Sequence, residues 1–208
     1  MHIQPEELQQ MARFYRANLI NSLSGFKPAV MAGTADSQGR TNLALFSNLF
    51  HVGSDPALIG YVQRPVGQSG DTFRNIEATG AYTFNFADVS MLEKAHFTSA
   101  RFAENVSEFE VCKLTPKWVD GFAAPFVLEC SLKIGLKLAD IIPYDRNGTR
   151  FVIGSVEHIF LPEELLLADG HLALDAAELI SSAGLEQYYR PTLVRQMPYA
   201  KVENLPEY

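Results

Sequence analysis

NLALFSNLFHVGSDPALIGYVQRP, residues 42–65, carries no Asp, Glu, Lys or Arg before Asp55 and closes on an Arg-Pro corner. Its first half predicts one long strand over Thr41–Val52. Ser54-Asp-Pro then turns the chain into another strand, Ala57–Gln63. In a strand, Leu43, Leu45, Ser47 and Leu49 share one face, and Asn42, Ala44, Phe46 and Asn48 share the other. Ser47 therefore interrupts an apolar face. Two readings stand: a buried hydroxyl bonded to backbone, or a bulge that aims N–H groups and the hydroxyl at a polar heterocycle.

The segments on either side extend this pattern. After Pro5, Leu8, Met11, Tyr15 and Leu19 recur at helical spacing and predict an N-terminal helix over about residues 5–22. Lys27–Thr34 reads as a strand, and Ala35-Asp-Ser-Gln-Gly-Arg has turn chemistry. Asp71 to Gly80 is a short helix with an acidic start and a glycine stop. Tyr82–Phe86 is a strand and Val89–Phe102 a helix, followed by loop up to Pro125. Val127–Ile142 and Thr149–Phe160 predict two long strands joined at Asp145-Arg-Asn-Gly. A last helix is expected over Asp175–Ser182, ahead of Gly184 and Tyr188-Tyr189.

About six strands with only short helices between them do not make a doubly wound sheet. A mainly β fold, a closed antiparallel barrel with flanking helices, fits instead. Apolar residues on both faces of several strands indicate that some of the barrel's outer surface is also buried, as in a dimer.

Composition narrows the function. A net charge of −7 lacks the electrostatic footprint of a nucleic-acid binder. No apolar run reaches membrane-spanning length, and MHIQPEELQQM has no signal-peptide character, so a cytoplasmic protein is expected. Cys112 and Cys130 are too few for a disulfide framework or zinc cluster, and Cys130 alternates with Leu128 and Leu132 as a packing residue would. No dinucleotide fingerprint, Walker loop, paired metal-ligand motif or nucleophile elbow is present. The expected metal content is none.

Read in order, several motifs have a common source. Asn42-Leu-Ala-Leu-Phe-Ser-Asn, Ser54-Asp-Pro and Tyr61-Val-Gln-Arg-Pro come first. Asp71-Thr-Phe-Arg-Asn-Ile-Glu-Ala-Thr-Gly-Ala-Tyr-Thr-Phe-Asn and Ala95-His-Phe-Thr-Ser-Ala-Arg-Phe follow. Together they resemble the flavin reductase-like family, the FMN-binding split barrels. Ser107-Glu-Phe-Glu, Ala124-Pro-Phe, Ile134-Gly, Asn147-Gly-Thr and Gly154-Ser-Val-Glu-His-Ile are similar to its flavoredoxin-type subgroup. The similarity runs from about residue 24 to 202.

This resemblance implies a single domain over residues 1–208: a six-stranded Greek-key split barrel that forms a homodimer and holds one FMN per subunit. It implies that Leu45, Phe46, Ser47 and Asn48 line the isoalloxazine ring. Val62, Gln63 and Arg64 would lie beside the ribityl chain and phosphate. Asp71 and Thr72 would present a helix N-terminus to that phosphate, where free N–H groups and the helix dipole favour an anion. Ser99, Ala100 and Arg101 would pack against the flavin, with His96 near the open face of the ring.

Ser69-Gly70 departs from the family, which commonly carries a basic residue there, and leaves FAD as an alternative to FMN. The implied activity is NAD(P)H-dependent reduction of flavin, with electrons passed to free flavin, a flavin-dependent oxygenase or a small acceptor. A flavin-carrying electron-transfer protein and a flavin-free binding protein are the rival classes. His96 is the candidate proton donor; in the plainer reading, His96 and Arg101 satisfy carbonyls at a helix end. Tyr188 and Tyr189 either lie over a flavin of the partner subunit or pack in a core. His158 reads as a bonded structural histidine.

Overall fold

A computed structural model describes residues 1–65, 70–103, 106–184 and 186–205. Of the expected features, Ser69 falls outside these. The chain opens with two helices, α1 (Pro5–Gln10) and α2 (Arg13–Leu23), in place of the single helix expected. Met11 is extended between them, and the Arg16 guanidinium donates to the carbonyls of Leu8 and Gln9, both at 3.2 Å. That bond fastens the break.

The strands follow as β1 (Lys27–Pro28), β2 (Val30–Ala35), β3 (Thr41–Phe46), β4 (Leu49–Ser54) and β5 (Ala57–Gln63). Helix α3 (Asp71–Thr79) leads into β6 (Ala81–Phe86), and a 3₁₀ turn at Val89–Met91 into α4 (Leu92–Phe97). Next come α5 (Glu108–Val111), β7 (Pro116–Lys117), β8 (Phe126–Val127), the long hairpin β9 (Lys133–Tyr144) and β10 (Thr149–Phe160), then β11 (Ser181–Ala183) and β12 (Gln187–Tyr189).

One antiparallel sheet dominates, of seven strands where six were expected, in the order β3-β2-β6-β9-β10-β5-β4. Its outermost strands, β3 and β4, are consecutive in the chain. The long strand expected over Thr41–Val52 is therefore two strands, and Ser47 and Asn48 carry the chain from one edge of the sheet to the other. The Asn48 side-chain amide donates to the Val62 carbonyl at the end of β5.

Side chains alternate to either side of this sheet. Val30, Ala32, Tyr61, Phe73, Ile76, Tyr82, Phe84, Leu136 and Val152 form one core. Met31 and Leu43 join Met91, Ala95, Phe109, Val127 and Cys130 in a second. The outer face of β2 is thus covered by this chain's own α4, α5 and β8. Cys130 packs there, with its thiol pushed upward in pKa by burial. Gly33 on β2 is required by space, since a Cβ would run into the Pro125 carbonyl and the Thr83 hydroxyl.

Four further expectations are corrected. The strand expected from Val127 begins at Lys133, because the buried Lys133 ammonium donates to the carbonyls of Val127, Leu128 and Cys130 and folds residues 127–133 into a turn. The helix expected over Val89–Phe102 ends at Phe97, and the segment before Pro125 contains α5. The helix expected over Asp175–Ser182 is absent. Ile180 donates to the Ala87 carbonyl and accepts from the Ala29 N–H at 3.0 and 3.3 Å, and β11 pairs with β1 and β12. Unpaired backbone on β1 and beyond β6 outweighs a weak helical propensity.

Asn85, fully buried on β6, locks the two cores together. It donates to the Met31 carbonyl at 3.0 Å and the Thr83 hydroxyl at 2.8 Å, and accepts from the Val127 N–H at 2.8 Å. Removing it strands the buried Val127 N–H, at a cost of about 1–3 kcal/mol. Asn85→Ala should lower the unfolding free energy by that order, seen as a lower urea midpoint with an unchanged slope.

Candidate functional site

The break at Ser47–Asn48 opens into a cleft with two connected halves. One half, about 290 Å³, is walled by Leu45 to Asn48, Val62 to Arg64, Ser99, Ser182, Gly184 and Tyr188. The other, also about 290 Å³, continues from Leu45, Phe46, Gln63 and Ser99 to Asp71, Thr72, Ala100 and Arg101. Every residue expected to bind a cofactor lies on these walls. A larger apolar hollow of about 800 Å³, between Phe26–Pro28 and Pro191–Met197, contains none of them.

Position along the cleft follows from the elements that build it. The β3 end and the link to β4 supply one wall, and β5 supplies the facing one. Gln63 is buried and spent on its surroundings: its amide donates to the Arg64 carbonyl at 3.0 Å, and its oxygen accepts from Tyr61. The Arg64 guanidinium donates to the Asn21 side chain on α2 at 3.1 Å, which holds it at the outer rim.

At the far end α3 begins at Asp71 after Gly70, so its first N–H groups have no partner within the helix. Asn42 on β3 fixes this helix start by donating to the Thr34 and Thr72 hydroxyls at 3.1 and 2.9 Å. The Thr72 oxygen accepts there, which leaves its proton to be donated elsewhere. Asn75 donates to the same Thr34 hydroxyl at 3.1 Å. Asp71 is ion-paired with Arg74. Ser99 donates back to the His96 carbonyl at 2.7 Å, so its oxygen keeps free lone pairs.

The Asn48 carboxamide is asymmetric. Its nitrogen is committed to Val62, whereas its oxygen is buried with no hydrogen-bond partner among the described residues. A buried acceptor of this kind costs stability until a donor reaches it.

Sequence reading placed His96 beside a ring. In the structure it stands behind the wall: its Nδ1 is 2.9 Å from the Tyr188 hydroxyl, and Tyr188 lines the cleft. Glu108 enters the sequence reading only within the Ser107-Glu-Phe-Glu motif, with no role at the site. It lines the α3 end, and its carboxylate accepts from the Leu43 N–H of edge strand β3 at 2.9 Å. Asn42 was read as a position on the strand's far face and as the start of a family motif, with no contact assigned to it. Neither residue has a local signal, since each acts on an element distant in sequence. His158 sits among Phe122, Phe126 and Phe160, away from the cleft. Among the described residues, no group of three or more His, Cys, Asp or Glu side chains could hold a metal ion.

Comparison with known proteins identifies the family and the fold. The flavin reductase like domain matches residues 23–173. The chain belongs to the flavin reductase-like family and has its split-barrel fold. A flavin reductase-type protein with a split barrel domain from Shewanella frigidimarina NCIMB 400 is 41% identical, with a TM-score of 0.93 over 96% of this chain and 100% of that one. Nitrilotriacetate monooxygenase component B from Bacillus cereus (24% identity, TM-score 0.82, covering 95% and 98%) shares the fold. Flavoredoxin of Desulfovibrio vulgaris (22%, TM-score 0.73, covering 85% and 92%) does so as well.

Burial raises the Glu108 pKa above its ordinary value, partly offset by the Leu43 N–H bond. The folded state therefore holds this proton more tightly than the unfolded state. The stabilisation is complete below the unfolded carboxylate pKa and is lost as pH rises through the higher folded value. Glu108→Gln keeps an acceptor for Leu43 and cannot ionise. Its stability should gain on wild type as pH rises from 4 to 7, as measured by urea denaturation at each pH.

Proposed function

We propose that this chain binds FMN in the cleft between Ser47 and the start of α3 and works as an NAD(P)H-dependent flavoprotein oxidoreductase. The observation that carries this reading is the convergence on one cleft of the residues that the family motifs single out, although they come from four separate stretches of chain. The donor set suits the ligand. The unpartnered Asn48 oxygen can accept from an imide N–H of a flavin ring. The Thr72 proton and the N–H groups opening α3 suit a terminal phosphate. Arg64 in one half of the cleft and Arg101 in the other supply positive charge. FAD is the alternative cofactor.

Bound flavin would supply the hydride chemistry, accepting two electrons from a nicotinamide and releasing them to an acceptor. The protein's own part is to bind, orient and shield. Leu45 and Phe46 form an apolar floor shared by both halves of the cleft, while Ser99 and the Ser47–Asn48 link provide polar contacts at its margin. NAD(P)H would enter transiently, since the chain has no dinucleotide fingerprint. Electrons would leave to free flavin, a flavin-dependent oxygenase or a small acceptor. The similarity in fold to nitrilotriacetate monooxygenase component B supports the oxygenase partner.

A homodimer is part of the same proposal. Val52, Ile142, Tyr144 and Ile159 leave large apolar side chains exposed on the barrel's strands, and a second copy is the natural cover. Light scattering at micromolar concentration should give about twice the 23.1 kDa chain mass. The two cysteines are free and buried, in keeping with a cytoplasmic protein. Among the described residues no helix is long and apolar enough to cross a membrane.

Purified protein should take up FMN, turn yellow, and bleach when NADH or NADPH is added without oxygen. Protein that stays yellow would be an electron carrier, and protein that takes up no flavin would end this reading. Arg64→Ala and Thr72→Ala should each weaken FMN binding about 10- to 100-fold, the worth of one charge-assisted hydrogen bond. Flavin fluorescence titration measures this, and unchanged affinity in both variants would remove the pair from the site.

A further inference from the structure

His96 and Tyr188 are 92 positions apart, on α4 and β12, and meet only because the chain folds. Their rings lie edge to face at 5.7 Å, with an interplanar angle of 88°. Tyr188 is part-buried and forms cleft wall beside Ser47, Asn48 and Ser182, whereas His96 lines neither half. The Tyr188 hydroxyl therefore offers His96 a hydrogen-bonded route for a proton toward the cleft.

We propose that Tyr188 is the group that hands a proton to an acceptor in the cleft, with His96 behind it as the source that restores that proton. The proposal rests on the flavoprotein reading above. It concerns acceptors of the quinone or related carbonyl class, whose reduction by hydride leaves an oxyanion.

The chemistry of the pair fits this order of events. With Nδ1 unprotonated, the imidazole accepts the tyrosine proton, and only oxygen lone pairs face the cleft. With Nδ1 protonated, it donates to the tyrosine oxygen and frees the hydroxyl proton to point outward. Burial, with Glu186 adding a smaller repulsion, raises the Tyr188 pKa above its ordinary value, so the phenol keeps its proton until an oxyanion demands it.

In the step itself, the acceptor gains a hydride, hence two electrons and one proton, from reduced flavin. The resulting oxyanion takes the Tyr188 proton: the phenol O–H bond breaks and a new O–H bond forms on the product. The His96 Nδ1–H proton then moves to the phenolate, which leaves a neutral imidazole that regains its proton from solvent.

The test compares two acceptors for anaerobically reduced, FMN-loaded protein in stopped flow. Ferricyanide takes single electrons and no proton, whereas a benzoquinone takes two electrons with a proton. Tyr188→Phe should slow quinone reduction about 10²- to 10⁴-fold, the range of a general acid, and leave the ferricyanide rate unchanged. His96→Gln should show the same selective loss. The wild-type quinone rate should fall in deuterium oxide, and that isotope effect should vanish in Tyr188→Phe.

A second readout needs no flavin. The ¹⁵N resonance of His96 Nδ1 in the flavin-free protein should shift in Tyr188→Phe. Equal slowing with both acceptors would make Tyr188 a packing residue and overturn the proposal. So would wild-type quinone rates in either variant, or an unmoved ¹⁵N resonance. In those cases flavin binding itself survives. A chain that takes up no flavin would overturn the flavoprotein reading and this proposal together.

Discussion

The first and last strands of the large sheet are joined by two residues. Three Cα steps separate Phe46 from Leu49, a reach of about 11 Å at full extension. A flat sheet of seven strands would hold its edges about 29 Å apart, at ~4.8 Å per strand. The sheet has no choice but to curl until the end of β3 comes near the start of β4. Closure is covalent here, with no ladder of backbone hydrogen bonds across the seam, and the gap so left is the cleft. The polar residues at 47 and 48 belong there because no core needs to be packed at that point.

Much of the fold was legible. The apolar runs over residues 30–35 and 57–63, the β-branched and aromatic stretch 149–160, the Asn-Gly corner after Tyr144, and the glycine stop at residue 80 all translate directly into elements. The failures share a cause. Residues 41–52 read as one extended run, but a strand pattern records which side a residue faces and not which sheet edge it joins. Residues 175–182 have modest helical character, which loses to the backbone groups of Ala29 and Ala87. Lys133 ends a turn because three carbonyls converge on it, and no composition rule anticipates a buried ammonium.

The candidate site divides in the same way. Stretches of motif marked its walls, because residues that touch a ligand tend to sit close together in sequence on the strand or helix end that presents them. The contacts that hold those walls in place were invisible. Asn42 steadies the start of α3 through Thr72, Asn21 restrains Arg64, and Tyr188 stands in front of His96; each spans tens of residues. His96 shows the difference well. Its residue type and its placement near the cleft were readable, but the tyrosine interposed between them was not, since β12 arrives from the far end of the chain.

The bond between Glu108 and the Leu43 N–H has a meaning beyond the cleft. Strand β3 lies at a margin of the sheet, and a margin with idle backbone donors invites another chain to add itself as an extra strand. Glu108 occupies such a donor with an acceptor that belongs to the same molecule. It also sets a carboxylate, which repels acidic neighbours when ionised, along the path an incoming strand would take. A chain that must keep a gap in its barrel for a ligand cannot seal that margin with backbone pairing. Guarding it with a side chain lets the gap persist without making the protein prone to edge-to-edge aggregation.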